Sequence, residues 1–154
     1  MLIVNALGLD EKTKELIEKA ATLHDIGKIG IRDSVLQKEG KLTPEEYKHI
    51  QEHVQITHNI LDKICMSEDF KQISEIACSH HEKYDGSGYY RHLKGEEIPY
   101  GGRILAVSDV FDAITSRRHY RDKMPIANVI NILLKDSGTH FDLSLIHISE
   151  PTRH

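Results

Sequence analysis

Six residues of this 154-residue chain have the chemistry of metal ligands, and they fall in four separate places: His24-Asp25, His53, His80-His81 and Asp109. Successive places lie 27 or 28 residues apart, each inside or beside a stretch that reads as a helix. Imidazole nitrogen and carboxylate oxygen are the donors that hold pairs of divalent metals in hydrolases. Donors this far apart along a chain meet only if the helices carrying them bundle around one point. Each place also has an ordinary structural explanation. His24-Asp25 reads equally as a capping Asp beside a surface His at a helix end. His80-His81-Glu82 reads as a polar helix C-terminus, where a cationic imidazole complements the dipole. His53 competes with His49 and His58 on its own helix, and His49 and His53 are four apart, the spacing of a local zinc pair. From the residues alone, the local pair and the long-range site both stay open. Asp109 argues hardest for chemistry, because a carboxylate mid-helix among Ala106, Val107, Val110 and Phe111 is costly without a cation or metal beside it.

The elements that must position these residues are helical almost throughout. Asp10 caps a first helix in which Leu16, Ile17, Ala20, Ala21 and His24 recur at helical spacing, with Gly27 at its end. The glycines of HDIGKIG then turn the chain sharply, which would swing Lys28 toward a substrate held on the ligands. Residues 30–41 are irregular. Thr43-Pro44-Glu45-Glu46 is a capping-box start with proline at the first helical position. That helix runs to Lys63 with Tyr47, Ile50, Val54, Thr57 and Leu61 on one face. Ser67 opens a third helix, whose Phe70, Ile73, Ile76 and Ala77 lead up to His80-His81.

Residues 83–102 change character, with Gly86, Gly88, Gly95, Pro99, Gly101 and Gly102 breaking any helix. A structureless stretch of about twenty residues in a compact domain is uncommon and usually functional. Its glycines let backbone approach a ligand closely and leave the loop mobile. A helix resumes from Arg103 to Ser116 and carries Asp109; Pro125 opens another to Lys135. No segment alternates as a strand does, and no repeat is visible. The expected fold class is all-α: a single bundle of about five to seven helices with a long Gly-rich functional loop.

Composition narrows the function classes. At 39% hydrophobic and 29% charged, the chain suits one soluble globular domain. No apolar run approaches the roughly 18 residues of a membrane helix, and the N-terminus lacks the basic start of a signal peptide. A formal charge of −4 gives no net pull toward a nucleic-acid polymer or an anionic membrane, so neither is expected as a partner. Cys65 and Cys78 lie in no zinc or redox spacing and read as free thiols in a reducing, cytoplasmic setting. Eleven histidines in a chain with no Trp and three Phe call for a reason other than aromatic packing.

HDIGKIG at 24–30, HHEKYDGSGYYRHLKGEEIPYGGRILAVSDVFDAITS at 80–116 and GTHFD at 138–142 together resemble an HD-GYP domain. This is the branch of the HD phosphohydrolases that typically hydrolyses the bacterial second messenger cyclic di-GMP. The resemblance runs in order from about residue 7 to Asp142. It implies that His24, Asp25, His53, His80, His81 and Asp109 are the metal ligands, with Asp25 bridging, and it favours His53 over His49. It further implies that Lys28 acts with Asp25 in catalysis near the scissile phosphate, that Arg118 and Arg121 contact the substrate, and that Asp112, one helical turn beyond Asp109, joins them. The solvated end of a helix is the ordinary alternative for the two arginines. Asp85, Gly86, Gly88 and Tyr89 carry the loop motif. The implied cofactors are two divalent metal ions (Fe, Mn or Zn), which would ready a metal-bridging hydroxide at neutral pH; the products would be linear pGpG, GMP or both. Lys28 would stabilise charge developing on a non-bridging oxygen.

The chain also departs from the family pattern. The signature Gly-Tyr-Pro reads Gly88-Tyr89-Tyr90, Val54 follows His53 where proline is usual, and His119 stands between Arg118 and Tyr120 in place of another proline. The family's first helix, which in some members supplies a third metal, is largely missing ahead of Leu7, so at most two metals are expected. The surface it would cover leaves self-association, including a homodimer, open. The catalytic domain is therefore assigned to residues 1–142. Residues 143–154 look like translated vector or adaptor sequence and are set apart. Family members are usually fused to receiver or sensor domains, which implies the same of the parent protein. Two alternatives stand beside the cyclic di-GMP reading: a phosphohydrolase of another cyclic dinucleotide or nucleotide, and a degenerate module that senses the nucleotide or docks a partner without cutting it.

Overall fold

Five helices occur where the hydrophobic pattern predicts them; side-chain caps start two of them, at Asp10 and Thr43, whereas Ser67 precedes its helix without a side-chain cap bond. The computed structural model describes residues 2–64, 67–115 and 125–147. Among these, α1 spans Leu2–Ala6, α2 Glu11–Leu23, α3 Asp33–Leu36, α4 Pro44–Ile64, α5 Glu68–Ala77, α6 Tyr100–Thr115, α7 Ile126–Lys135 and α8 Leu143–His147. Two 3-10 turns, Ile26–Gly30 and Gly95–Glu97, complete the regular structure, and no strand forms among the described residues. The fold is all-α, as expected. The three helices outside the predicted set, α1, α3 and α8, have five, four and five residues. Elements that short show no hydrophobic period and stand on tertiary packing alone.

The Asp10 carboxylate accepts from the Thr13 amide at 3.0 Å and from its hydroxyl at 2.6 Å. At α4 the capping box closes in both directions: Thr43 N–H donates to Glu46 Oε2 at 2.7 Å, and Glu46 N–H donates to Thr43 Oγ1 at 3.2 Å. Two boundaries differ from expectation. Helix α2 stops at Leu23 rather than Gly27, so His24 and Asp25 occupy a turn and not a regular helix face. Helix α6 starts at Tyr100, ahead of Arg103, because Gly101 and Gly102 are buried packing contacts against Ile17, Ile76 and Ser79 rather than helix breakers.

Helices α2, α5 and α6 pack around Ile17, Ala20, Ile73, Ile76, Ala77, Ile104 and Leu105. A second apolar group, Val107, Val129, Leu133 and Phe141, joins α6 to α7 and the segment after it. Helix α4 lies against α5 and holds the 3-10 turn Ile26–Gly30 along its side. Packing continues past Asp142: Leu145 of α8 is 3% exposed and shares the first core with Val4. Among the described residues, no helix is long and apolar enough to cross a membrane.

Candidate metal centre

Three histidines reach one point by the same local device. His24, His53 and His80 each direct Nδ1 at the main-chain carbonyl three residues earlier, on Ala21, Ile50 and Ala77, at 2.7, 2.6 and 2.6 Å. A carbonyl oxygen only accepts, so Nδ1 carries a proton and Nε2 is presented outward, the arrangement that orients histidine ligands in metal sites. The Nε2 atoms of all three, together with Asp25 Oδ1, are buried without a hydrogen-bond partner. One unpaired buried polar atom costs about 1–3 kcal/mol. Four gathered at one place fit a site shaped for cations.

Asp25 lies at the middle of this group. Its Oδ1 faces His53 Nε2 at 3.4 Å and His80 Nε2 at 4.0 Å, while Oδ2 faces His24 Nε2 at 3.4 Å and Lys28 Nζ at 2.6 Å. His24 Nε2 is also 3.7 Å from Asp109 Oδ1. The donor atoms form two overlapping groups, His53-His80-His81 and His24-Asp25-His80, within which all lie within 4.8 Å of one another. Electrostatics sets His24 apart from the other three imidazoles. Burial lowers the pKa of His53, brings His80 down to about 4 and His81 to about 2, and so keeps these rings neutral. Burial opposes charge on His24 as well, but the carboxylates of Asp109 and Asp25, 3.7 and 3.4 Å from Nε2, outweigh it and raise the pKa to about 10. A proton on His24 thus sits among the carboxylates where a cation would. Asp25 is held well below the usual carboxylate range: its burial is overcome by His24 and Lys28.

The His24-Asp25 turn is bolted to α4 by Thr57. The fully buried Thr57 hydroxyl accepts from Gly27 N–H at 3.0 Å and donates to the His24 carbonyl at 3.1 Å. Gly27 is required by contact: a β-carbon there would stand 2.0 Å from the His53 carbonyl oxygen. The turn and His53 therefore approach as closely as backbone allows, and Lys28, 43% exposed, is left at the rim on Asp25.

The Gly-rich loop closes the other side. Gly88 lies on the backbone of His81-Glu82, where a β-carbon would stand 2.5 Å from Glu82 Cα and from Lys83 N. Tyr89 stacks on His81, with centroids 4.7 Å apart and planes 24° from parallel. Asp85 Oδ1 accepts from Ser87 N–H at 2.8 Å, and Gly86 turns the chain at φ +86°. The loop is tied to the chain's last motif by Tyr84 N–H to the His140 carbonyl and Asp85 N–H to the Thr139 carbonyl, at 3.1 and 2.8 Å. That motif ends in Asp142, whose carboxylate accepts from Arg103 at 2.7 Å and so locks α6 in place.

All six residues singled out by type and spacing thus lie together. His49 does not join them: its Nδ1 pairs with Glu52 at 2.7 Å, and its Nε2 accepts from Arg32 N–H at 3.3 Å. His58 turns to Asp62 and Ser74. Asp112 is exposed on α6. Arg118, Arg121, His119 and Cys65 lie outside the described residues; Cys78 is buried and its thiol pKa is pushed up to about 11 by burial. Sequence reasoning overlooked Thr57 and the Arg103–Asp142 pair as supports of the site. For Thr57 a signal existed, since a hydroxyl on the apolar face one turn after His53 needs a polar partner.

This geometry agrees with comparison to known proteins. Residues 2–145 match the HD domain family. The chain is 40% identical over 147 residues to a 3'3'-cGAMP-specific phosphodiesterase of Vibrio cholerae, covering 95% of this chain and 28% of that protein. It is 45% identical over 136 residues to a cyclic di-GMP phosphodiesterase of Thermotoga maritima (88% of this chain, 37% of that protein). It is 44% identical over 142 residues to a cyclic di-GMP phosphodiesterase response regulator of Xanthomonas campestris (92% and 37%). The chain therefore spans about a third of the length of these relatives. A crystal structure of a V. cholerae cyclic GMP-AMP-specific phosphodiesterase shares the fold, with a TM-score of 0.67 at 21% identity over 95% of this chain and 39% of that one. The chain belongs to the HD domain family, the family of phosphohydrolases that its motifs resemble.

Proposed function

We propose that this chain is the catalytic part of a metal-dependent phosphodiesterase that hydrolyses cyclic dinucleotides, cyclic di-GMP first among them. The observation that carries the reading is the convergence of four buried, unpartnered ligand atoms, His24 Nε2, Asp25 Oδ1, His53 Nε2 and His80 Nε2. His53, His80 and His81 form one donor group and His24, Asp25 and His80 an overlapping second. Asp109 lies beside His24, and Asp25 turns one oxygen toward His53 and the other toward His24. This set suits two divalent ions such as Fe, Mn or Zn. Ions held there supply Lewis acidity toward a phosphodiester and a water acidic enough to attack it.

The chain's own residues do the rest. The i−3 carbonyl bonds fix each imidazole ring, so no reorientation is needed when substrate arrives. Asp25 and Asp109 set the negative charge of the site. Lys28 stands at the rim and stabilises charge developing on a non-bridging phosphate oxygen. Tyr89, packed on His81, walls off one side from water. Arg118, Arg121 and Asp112 are proposed to contact the substrate beyond the metals.

A second substrate is favoured by a specific observation, the 40% identity with a relative named for 3'3'-cGAMP. The Xanthomonas relative is named a response regulator, and fusion of the parent protein to a receiver or sensor domain is proposed on that basis. The test is to load the purified chain with Mn(II) or Fe(II) and follow cyclic di-GMP, 3'3'-cGAMP and linear pGpG by chromatography. Turnover of at least one cyclic dinucleotide is expected; binding without turnover would support the sensing module instead.

A further inference from the structure

Glu82 directly follows the histidine pair, and none of the roles above uses it. Its side chain is buried, with 2% of the residue exposed, and it forms no ion pair among the described residues. Burying a carboxylate is costly unless hydrogen bonds replace its water. Here both replacements are main-chain amides of the loop: Oε1 accepts from Arg91 N–H at 2.7 Å and Oε2 from Leu93 N–H at 3.1 Å. The loop is thus fastened from inside by the residue next to a metal ligand.

Two further observations show what the fastening achieves. Tyr90 and His92, on either side of Arg91, have φ of +97° and +55°. Residues other than glycine adopt such values only where their surroundings impose them. Just ahead of them, Tyr89 N–H donates to the His81 carbonyl at 3.3 Å, and the Tyr89 ring stacks on the His81 imidazole. The chain therefore leaves the ligand pair, loops out through residues 83–87, and is pulled back onto the same pair by Glu82.

We propose that Glu82 is a positioning residue whose carboxylate folds residues 88–93 over the site, setting Tyr89 against His81 and shaping the mouth through which a large diester enters. The kinetic consequence rests on the phosphodiesterase reading; the structural consequence does not. On that reading a cyclic dinucleotide would touch the loop as well as the metals, whereas a small diester would need the metals alone.

Glu82→Gln keeps the size of the side chain but replaces one accepting oxygen with an NH2 group that faces an N–H. Hydrogen exchange on the purified chain should show the Arg91 and Leu93 amides opening at least about tenfold faster, with α2 and α4 unchanged. With metal present, KM for cyclic di-GMP should rise about tenfold while hydrolysis of bis(p-nitrophenyl) phosphate changes less than about twofold. Unaltered exchange at Arg91 and Leu93 overturns the proposal, as does an equal loss on both substrates, which would mean that Glu82 merely supports the ligands. If wild type cleaves the small diester and no cyclic dinucleotide, the phosphodiesterase assignment above fails, while the exchange result still decides the role of Glu82. Should Glu82→Gln not fold, Tyr89→Leu tests the claim from the other side, and an unchanged KM for cyclic di-GMP refutes it.

Discussion

Thr57 and Gly27 meet across 30 residues of chain in a contact that leaves no room for a side chain: the Thr57 hydroxyl accepts from Gly27 N–H at 3.0 Å, and a β-carbon on Gly27 would stand 2.7 Å from that oxygen. Through the second bond, from Thr57 to the His24 carbonyl, this one hydroxyl sets where two ligands stand relative to α4 and His53.

Gly27→Ala should therefore cost about 3 kcal/mol or more, at the upper end of overpacking effects, because the obstacle is backbone and cannot repack. Thr57→Val keeps the shape but strands an N–H and a carbonyl, for about 1–3 kcal/mol. Urea unfolding of the metal-free proteins measures both. Near-wild-type midpoints for both variants would show that the turn is not bolted here.

Metal affinity should depend on pH through His24. Its raised pKa, about 10 with Asp109 and Asp25 as proton-holding partners, means that the metal-free site keeps a proton on this imidazole at neutral pH. Metal must displace that proton, so apparent Mn(II) affinity should rise about tenfold per pH unit between roughly pH 6.5 and 8. His80 and His81, lowered to about 4 and 2, release none in that window. The metal-free fold behaves oppositely. A group with a raised folded pKa contributes fully below its unfolded value of about 6.5 and loses that contribution as pH rises toward 10. Calorimetric titration at several pH values checks the first slope; an affinity flat across the window would refute it.

Restoring the family's Gly-Tyr-Pro signature should harm this chain. Tyr90 has φ +97°, whereas proline is locked near −65°. Tyr90→Pro is expected to destabilise by more than about 1 kcal/mol, since an incompatible proline costs more than its entropic gain. A higher melting temperature for Tyr90→Pro would show that the loop adopts the usual family path.

Asp142→Ala should cost about 2–3 kcal/mol, below the range for a fully buried pair, by leaving the part-buried Arg103 guanidinium with only the Tyr100 ring beside it. The side chains are 15% and 6% exposed, so solvent screens the pair little. The double variant Arg103→Met/Asp142→Leu should be more stable than Asp142→Ala alone, which a thermodynamic cycle from urea melts measures directly.

Much of this was legible in the sequence for physical reasons. Asp10, Thr43 and Glu46 act locally, so their caps could be read from residue type and spacing. The apolar period of α2, α4 and α5 was similarly visible. Asp109 stood out because a carboxylate in apolar company has few explanations. The turn at His24-Asp25 was harder: helical periodicity carries through His24, while the contacts that hold the turn, from Gly27 to Thr57 and His53, come from about 30 residues along the chain. Gly101 and Gly102 misled for a related reason, since a glycine that admits a neighbouring helix looks in sequence like one that ends its own. The roles of Thr57, Glu82 and Arg103 depend on partners 9 to 39 residues away, and no local pattern announces them.

The most direct test compares wild type with Asp25→Ala in cyclic di-GMP hydrolysis under matched Mn(II) or Fe(II), with the metal content of each protein measured alongside. If Asp25 joins the two donor groups, the variant should lose about a hundred- to a thousandfold in kcat/KM, as removal of a central electrostatic element does, and should bind less metal. Turnover and metal content unchanged in Asp25→Ala would contradict the account.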